Sequence, residues 1–116
     1  MLTPWGISDH ETKLAEGVFL VDTPSHGGIL VEKKVARTYL SCAALQIGSE
    51  FGPSHIAYEE DCDMAVVMFE HLDEIYPLMD YSIGVEELRE IVEESINEWH
   101  PEYFRAIENM RKNVGL

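Results

Sequence analysis

Positive charge is scarce in this chain. Its 116 residues carry 8 Lys and Arg against 22 Asp and Glu, a formal net charge of −14. The basic residues Lys33, Lys34, Arg37, Arg105, Arg111 and Lys112 are too few and too scattered for a nucleic-acid footprint. Cysteine is equally rare. Two thiols, Cys42 and Cys62, do not make a disulfide scaffold, and both are expected to be reduced and partly buried. No apolar run approaches the ~20 residues of a membrane span. The first residues, MLTPWGISDH, show no basic region followed by an apolar run, so no secretory signal is read there and a cytoplasmic location is the default expectation. No internal repeat or low-complexity segment is present. The spacings His-x-x-x-His and Cys-x-x-Cys, a calcium loop and a phosphate loop are all missing. No catalytic residue, metal or cofactor is therefore assigned from spacing, and an enzyme is the less favoured class.

What is present is acid, concentrated in one place. From Glu59 to Glu102 there are fifteen Asp and Glu and a single base, Arg89. Apolar residues make up 46% of the chain, so the acid load does not imply disorder. The length predicts one domain, residues 1–116, with a real core.

The local patterns predict an α+β fold: a small N-terminal antiparallel sheet of two or three strands packed with about four helices. Gly17 to Thr23 reads as a strand stopped by Pro24, Gly27-Gly28 as a turn, and Ile29 to Glu32 as the returning strand. Ile7 to Leu14 is the candidate third strand. Val35, Tyr39, Cys42 and Leu45 predict a helix from Lys34 to Ile47 that buries Cys42. Met64, Val67, Met68, Leu72 and Ile75 predict another from Glu60 to Tyr76, capped by Glu60 or Asp61. The clearest stripe, Val85, Leu88, Ile91, Val92, Ile96 and Trp99, predicts a helix over 85–99, with Trp99 closing the core. Pro101 suits the first position of a last helix reaching about Lys112.

Glu86, Glu90, Glu94 and Glu98 fall four apart on that 85–99 helix, widened by Glu87 and Glu93. Like charges at this spacing oppose a helix by about 0.2–0.5 kcal/mol per pair. Such a face points to a partner with a basic groove, with Asp61, Asp63, Asp73 and Glu74 as a second acidic patch. Direct nucleic-acid binding is disfavoured by repulsion. Two polar segments compete for attention. Thr23-Pro-Ser-His-Gly-Gly28 puts Ser25, His26, Gly27 and Gly28 in a tight loop, most simply a turn in which His26 bonds loop backbone. Tyr58-Glu-Glu-Asp-Cys-Asp63 reads as a helix start. The enzyme alternative is a small hydrolase or metal-dependent enzyme that combines His26 with Asp61 or Asp63. A structural homodimer through Trp99, Tyr103 and Phe104 is a further alternative. Cys62, among acids, is a poor nucleophile.

Thr3-Pro-Trp-Gly6, Thr23-Pro-Ser-His-Gly-Gly28 and Tyr58-Glu-Glu-Asp-Cys-Asp63, in that order, resemble a small uncharacterised domain family of bacteria, phages and other mobile elements. The resemblance covers residues 3–70, with the tail from Val85 outside it. It implies a context rather than an activity: an inhibitor of host defence, of anti-CRISPR or anti-restriction type. Such a protein would use its carboxylates in place of phosphates to occlude a nuclease or CRISPR effector.

Overall fold

The computed structural model describes residues 1–113. A two-strand ribbon, Leu2–Thr3 (β1) and Gly6–Ile7 (β2), precedes His10–Ala15 (β3), Val18–Asp22 (β4) and Gly27–Glu32 (β5). Helices Lys33–Tyr39 (α1) and Cys42–Leu45 (α2) follow, then strands Ser49–Phe51 (β6) and His55–Glu59 (β7). Helices Met64–Glu70 (α3), Leu72–Ile75 (α4), Val85–Trp99 (α5) and Tyr103–Asn113 (α6) complete the order, with a 3-10 turn at Tyr76–Leu78. The fold class is α+β, as the sequence patterns predict.

The main sheet is five-stranded and antiparallel, in the order β3-β4-β5-β7-β6. It is larger than the two or three strands expected. The extra pair, β6 and β7, brackets the Gly52-Pro53 segment that reads as plain loop in sequence. β5 lies in the middle and is buried along nearly its whole length. Strand periodicity divides its neighbours between two faces. Val18, Ile29, Val31 and Tyr58 join the main core with Ala36, Val66, Val67, Leu72, Ile75, Leu88, Val92, Ile96 and Tyr103. Val21, Leu30 and Ala57 face the other way, onto Trp5, Phe19 and Phe51. Helices cover the first face. The N-terminal segment carrying Trp5 packs against the second.

Several local expectations are corrected. Gly27 and Gly28 lie inside β5, and the turn is Thr23–His26, closed by Thr23 N donating to His26 O at 2.8 Å. The expected 34–47 helix is two helices, because Leu40 is extended and Ser41 starts a new one by accepting from Ala44 N at 3.1 Å. That break changes the helical phase, and Cys42 is exposed rather than core. The next helix starts at Met64, not Glu60. Glu60 N is already donated to Gly27 O at 3.0 Å, so β-type pairing continues past Glu59 and neither Glu60 nor Asp61 caps the helix. α5 has the predicted bounds, but Ile91 and Trp99 are 50% and 54% exposed and do not close the core. Ile96 is the last side chain of α5 to be fully buried. Pro101 sits in the turn before α6, which begins at Tyr103. No helix among the described residues is long and apolar enough to cross a membrane.

Candidate functional site at the end of the central strand

The three sequence motifs meet at one end of β5. Thr3 is buried and shapes the first. Its Oγ1 donates to Gly6 O at 2.6 Å and accepts from Trp5 N at 3.1 Å, which sets the indole over the sheet. Gly28 is where the indole lands: a Cβ there would stand 2.6 Å from the Trp5 ring and 2.3 Å from Tyr58 O. Gly28 shares its face with Leu30, so only a residue without a side chain lets Trp5 lie against the strand. Gly27 is equally confined, with Val21 O at 2.6 Å and the Asp22 and Glu60 carboxylates at 3.2 and 3.4 Å from a built Cβ. The glycine pair is therefore a close-approach feature of the strand, not a turn.

The second motif presents His26. Thr23 Oγ1 accepts from His26 N at 3.1 Å and donates to His26 O at 2.6 Å, so the turn backbone is tied internally. The expected loop-backbone bond is made by the His26 main chain, and the imidazole is exposed. The third motif supplies acids from the turn that leaves β7. One donor atom each from His26, Glu60 and Asp61 lies within 4.8 Å of the other two. All three residues are exposed. Sequence spacing hides this group because His26 and Glu60 are joined only through the pairing of β5 with β7. Ser25 is exposed in the same turn.

Asp63 does not join them. Its Oδ1 contacts His100 Nε2 at 2.8 Å, and both side chains are largely covered. That pair ties the start of α3 to the end of α5, so Asp63 is neither a partner of His26 nor a free surface acid. Cys62 lies between the two groups. Burial, together with Asp63 and Glu59, pushes its thiol up to about 11, which leaves it mostly protonated near neutral pH. Pro4, Trp5, Ser49, Ala57, Glu59 and Asp63 line a cleft of about 190 Å³ on the Trp5 side of the sheet.

The acidic helix is arranged largely as its spacing predicts. Glu86, Glu87, Glu90, Glu94 and Glu98 are exposed, and Glu93 is half-buried. Arg89 contacts Glu86 at 3.3 Å and Asp73 at 3.2 Å. The other five glutamates of α5 have no ion-pair partner among the described residues. Asp73 and Glu74 are exposed on α4. Tyr103 is buried within the protomer, so it is not available as a dimer contact, and Phe104 packs edge-on against Phe69 at 5.0 Å.

One polar residue escapes sequence reasoning altogether. Glu70 accepts from Ser41 N at 2.9 Å, from Ser41 Oγ and from Tyr103 Oη, joining α2, α3 and α6. Burial and the adjacent Glu70 carboxylate both hold the Tyr103 phenol in its neutral form. His71 stacks on Tyr39 at 3.8 Å and contacts Tyr39 O at 2.5 Å, so it is a packing residue rather than a free surface imidazole. Such contacts, 29 to 33 positions apart, leave no local signal.

A family model described as a domain of unknown function, DUF7007, matches residues 1–115, and the chain belongs to that family. The match takes in the helical tail, which the motif resemblance over 3–70 leaves out. Comparisons with curated proteins and with solved structures found no match.

Proposed function

We propose that His26, Glu60 and Asp61 bind a divalent cation and that the protein is a small metal-dependent hydrolase. One observation carries this reading: a nitrogen and two carboxylates from separate turns converge within 4.8 Å. One imidazole with two carboxylates suits zinc, manganese or iron, and three protein ligands leave positions open for water and substrate. A cation held there would lower the pKa of a bound water and polarise a carbonyl or phosphoryl oxygen. The Thr23 turn and the Glu60–Gly27 bond fix the two backbones from which the ligands extend. Titration with Zn²⁺ and Mn²⁺, followed by calorimetry and by the His26 ring signals, tests the site. Micromolar binding that weakens at least about tenfold in His26→Ala and in Asp61→Asn is expected, a change of about 1.4 kcal/mol. Affinity unchanged from that of the unsubstituted chain in both variants rejects the site. A bound cation with no turnover of ester, amide or phosphodiester substrates retains the site and rejects the hydrolase.

A second reading concerns α5. Five carboxylates project along it without basic partners among the described residues, and the stripe costs the helix stability. We infer that this face docks on a basic groove of another protein, with Asp73 and Glu74 extending it. The nearest specific candidate is a nuclease or CRISPR effector, which would make the protein an anti-defence inhibitor of a mobile element. Complex formation should weaken as salt rises. A pull-down at low and high salt with Glu90→Lys/Glu94→Lys as the comparison tests it. Retention of the same basic partner by that variant rejects this reading.

A further inference from the structure

The acid-free part of the chain holds a cleft that the proposed metal site does not use. Residues 33–49 contain three bases and no acid, the longest such stretch in a chain of −14. Lys33, Ala36, Arg37, Leu45 and Gly48 of that stretch, with Glu50 and Ile56 from the sheet, line an open cleft of about 360 Å³ between α1, α2 and the edge of the sheet. Small-molecule clefts span about 300–1,000 Å³, so the volume suffices for a compact ligand. Ala36, Leu45 and Ile56 give it an apolar lining. Lys33 and Arg37 give it cations. A second hollow, lined by Arg37, Leu40, Cys42, Leu45 and Gln46, adjoins it, so Arg37 borders both.

The two cations differ. Lys33 Nζ lies 3.3 Å from Glu50 Oε1, and the Glu50 side chain is 82% exposed. An exposed pair of this kind is worth about 0–1 kcal/mol, so an incoming anion can displace Glu50. Arg37 has no ion-pair partner among the described residues. Arg105, Arg111 and Lys112 share that property, but none of them lines this cleft. Its planar guanidinium matches a carboxylate or phosphate through two parallel N–H bonds.

We propose that this cleft binds a small amphiphilic anion, its head on Arg37 and Lys33 and its short apolar tail against Ala36, Leu45 and Ile56. The anionic head can be a carboxylate or a phosphate. Octanoate and octyl phosphate, below their micelle concentrations, serve as probes against amide NMR spectra of the full chain. Octyltrimethylammonium supplies the same tail with the opposite charge. Saturable shifts confined to the amides of Ala36, Arg37, Leu45 and Ile56 are expected with the two anions and not with the cation. The tighter of the two anions then identifies the head group. Arg37→Gln should weaken binding by about tenfold or more, and Glu50→Gln should tighten it by freeing Lys33. Both positions are exposed, so the fold tolerates the changes, and unaltered spectra elsewhere verify this. Equal shifts with the cation, shifts scattered over the surface, or an unchanged affinity in Arg37→Gln overturn the proposal.

Discussion

Residues 33–48, which hold α1 and α2, and Val85–Trp99 are nearly equal in length and patterned with apolar residues at helical spacing. Only the second is one unbroken rod. The first carries three bases and no acid; the second carries six glutamates and one arginine. α5 buries Leu88, Val92 and Ile96 on a single stripe, so its own periodicity decides its length and orientation. α1 and α2 answer to groups far along the chain. Lys33 N donates to Ser54 O at 2.8 Å, Ser41 is held by Glu70, and Tyr58 Oη donates to Ala44 O at 2.9 Å. Where tertiary hydrogen bonds take up groups at a helix end, a helix can stop and restart at lower cost, because fewer backbone groups are left unpaired.

That contrast can be broken from either side. The largest effect should come from α5, where Ile96 is fully buried. Ile96→Ala is expected to destabilise by about 2–5 kcal/mol, read from urea unfolding, while Ile91→Ala at the half-exposed edge should cost far less. Equal losses at both positions would mean the stripe does not hold the helix. On the other side, Glu70→Ala removes three hydrogen bonds to α2 and α6 and should cost about 1–3 kcal/mol. Amide exchange should then accelerate in α2 first. If exchange instead rises in α5 alone, the Glu70 network is not what anchors α2.

The two thiols sharpen the comparison chemically. Cys42 is exposed in the basic region, and Cys62 is half-buried among acids. With Cys62 held up at about 11, only about a thousandth is thiolate at pH 8. Iodoacetamide should therefore modify Cys42 well before Cys62, and mass spectrometry of the timed reaction checks the order. The sign for stability follows from the same shift. The folded state favours the neutral thiol, so Cys62 contributes fully below its unfolded value of 9.0, and that contribution falls as pH rises toward 11. Cys62→Ala should flatten the alkaline decline in Tm. The smallest effect belongs to Glu98→Lys. The last turn of α5 has no base, and a cation there should stabilise by about 0.3–1 kcal/mol. A lower Tm for that variant would mean that Glu98 makes a favourable contact which the helix dipole argument misses.

The candidate site was legible in pieces. Thr3-Pro-Trp-Gly6, the His26 loop and the Glu59–Asp63 run stand out in sequence, but their meeting point does not. The residue types suggest His26 with Asp61 or Asp63; Asp61 lies near His26, whereas Asp63 binds His100 instead. Glu60 looks like a helix cap in sequence, because nothing local announces that its amide donates to Gly27 O. Glu70 gave no sign at all.

Composition and periodicity by themselves determined the fold class, the bounds of α5 and its exposed acidic face. Those properties depend on side chains within one or two turns of each other, which a linear pattern records. Tertiary structure alone decided the five-stranded sheet, the break at Leu40–Ser41, the covered Asp63–His100 pair and the convergence of His26 with Glu60 and Asp61. Each of these depends on strand pairing or packing between residues distant in the chain. Their partners are chosen by burial and hydrogen-bond satisfaction in three dimensions.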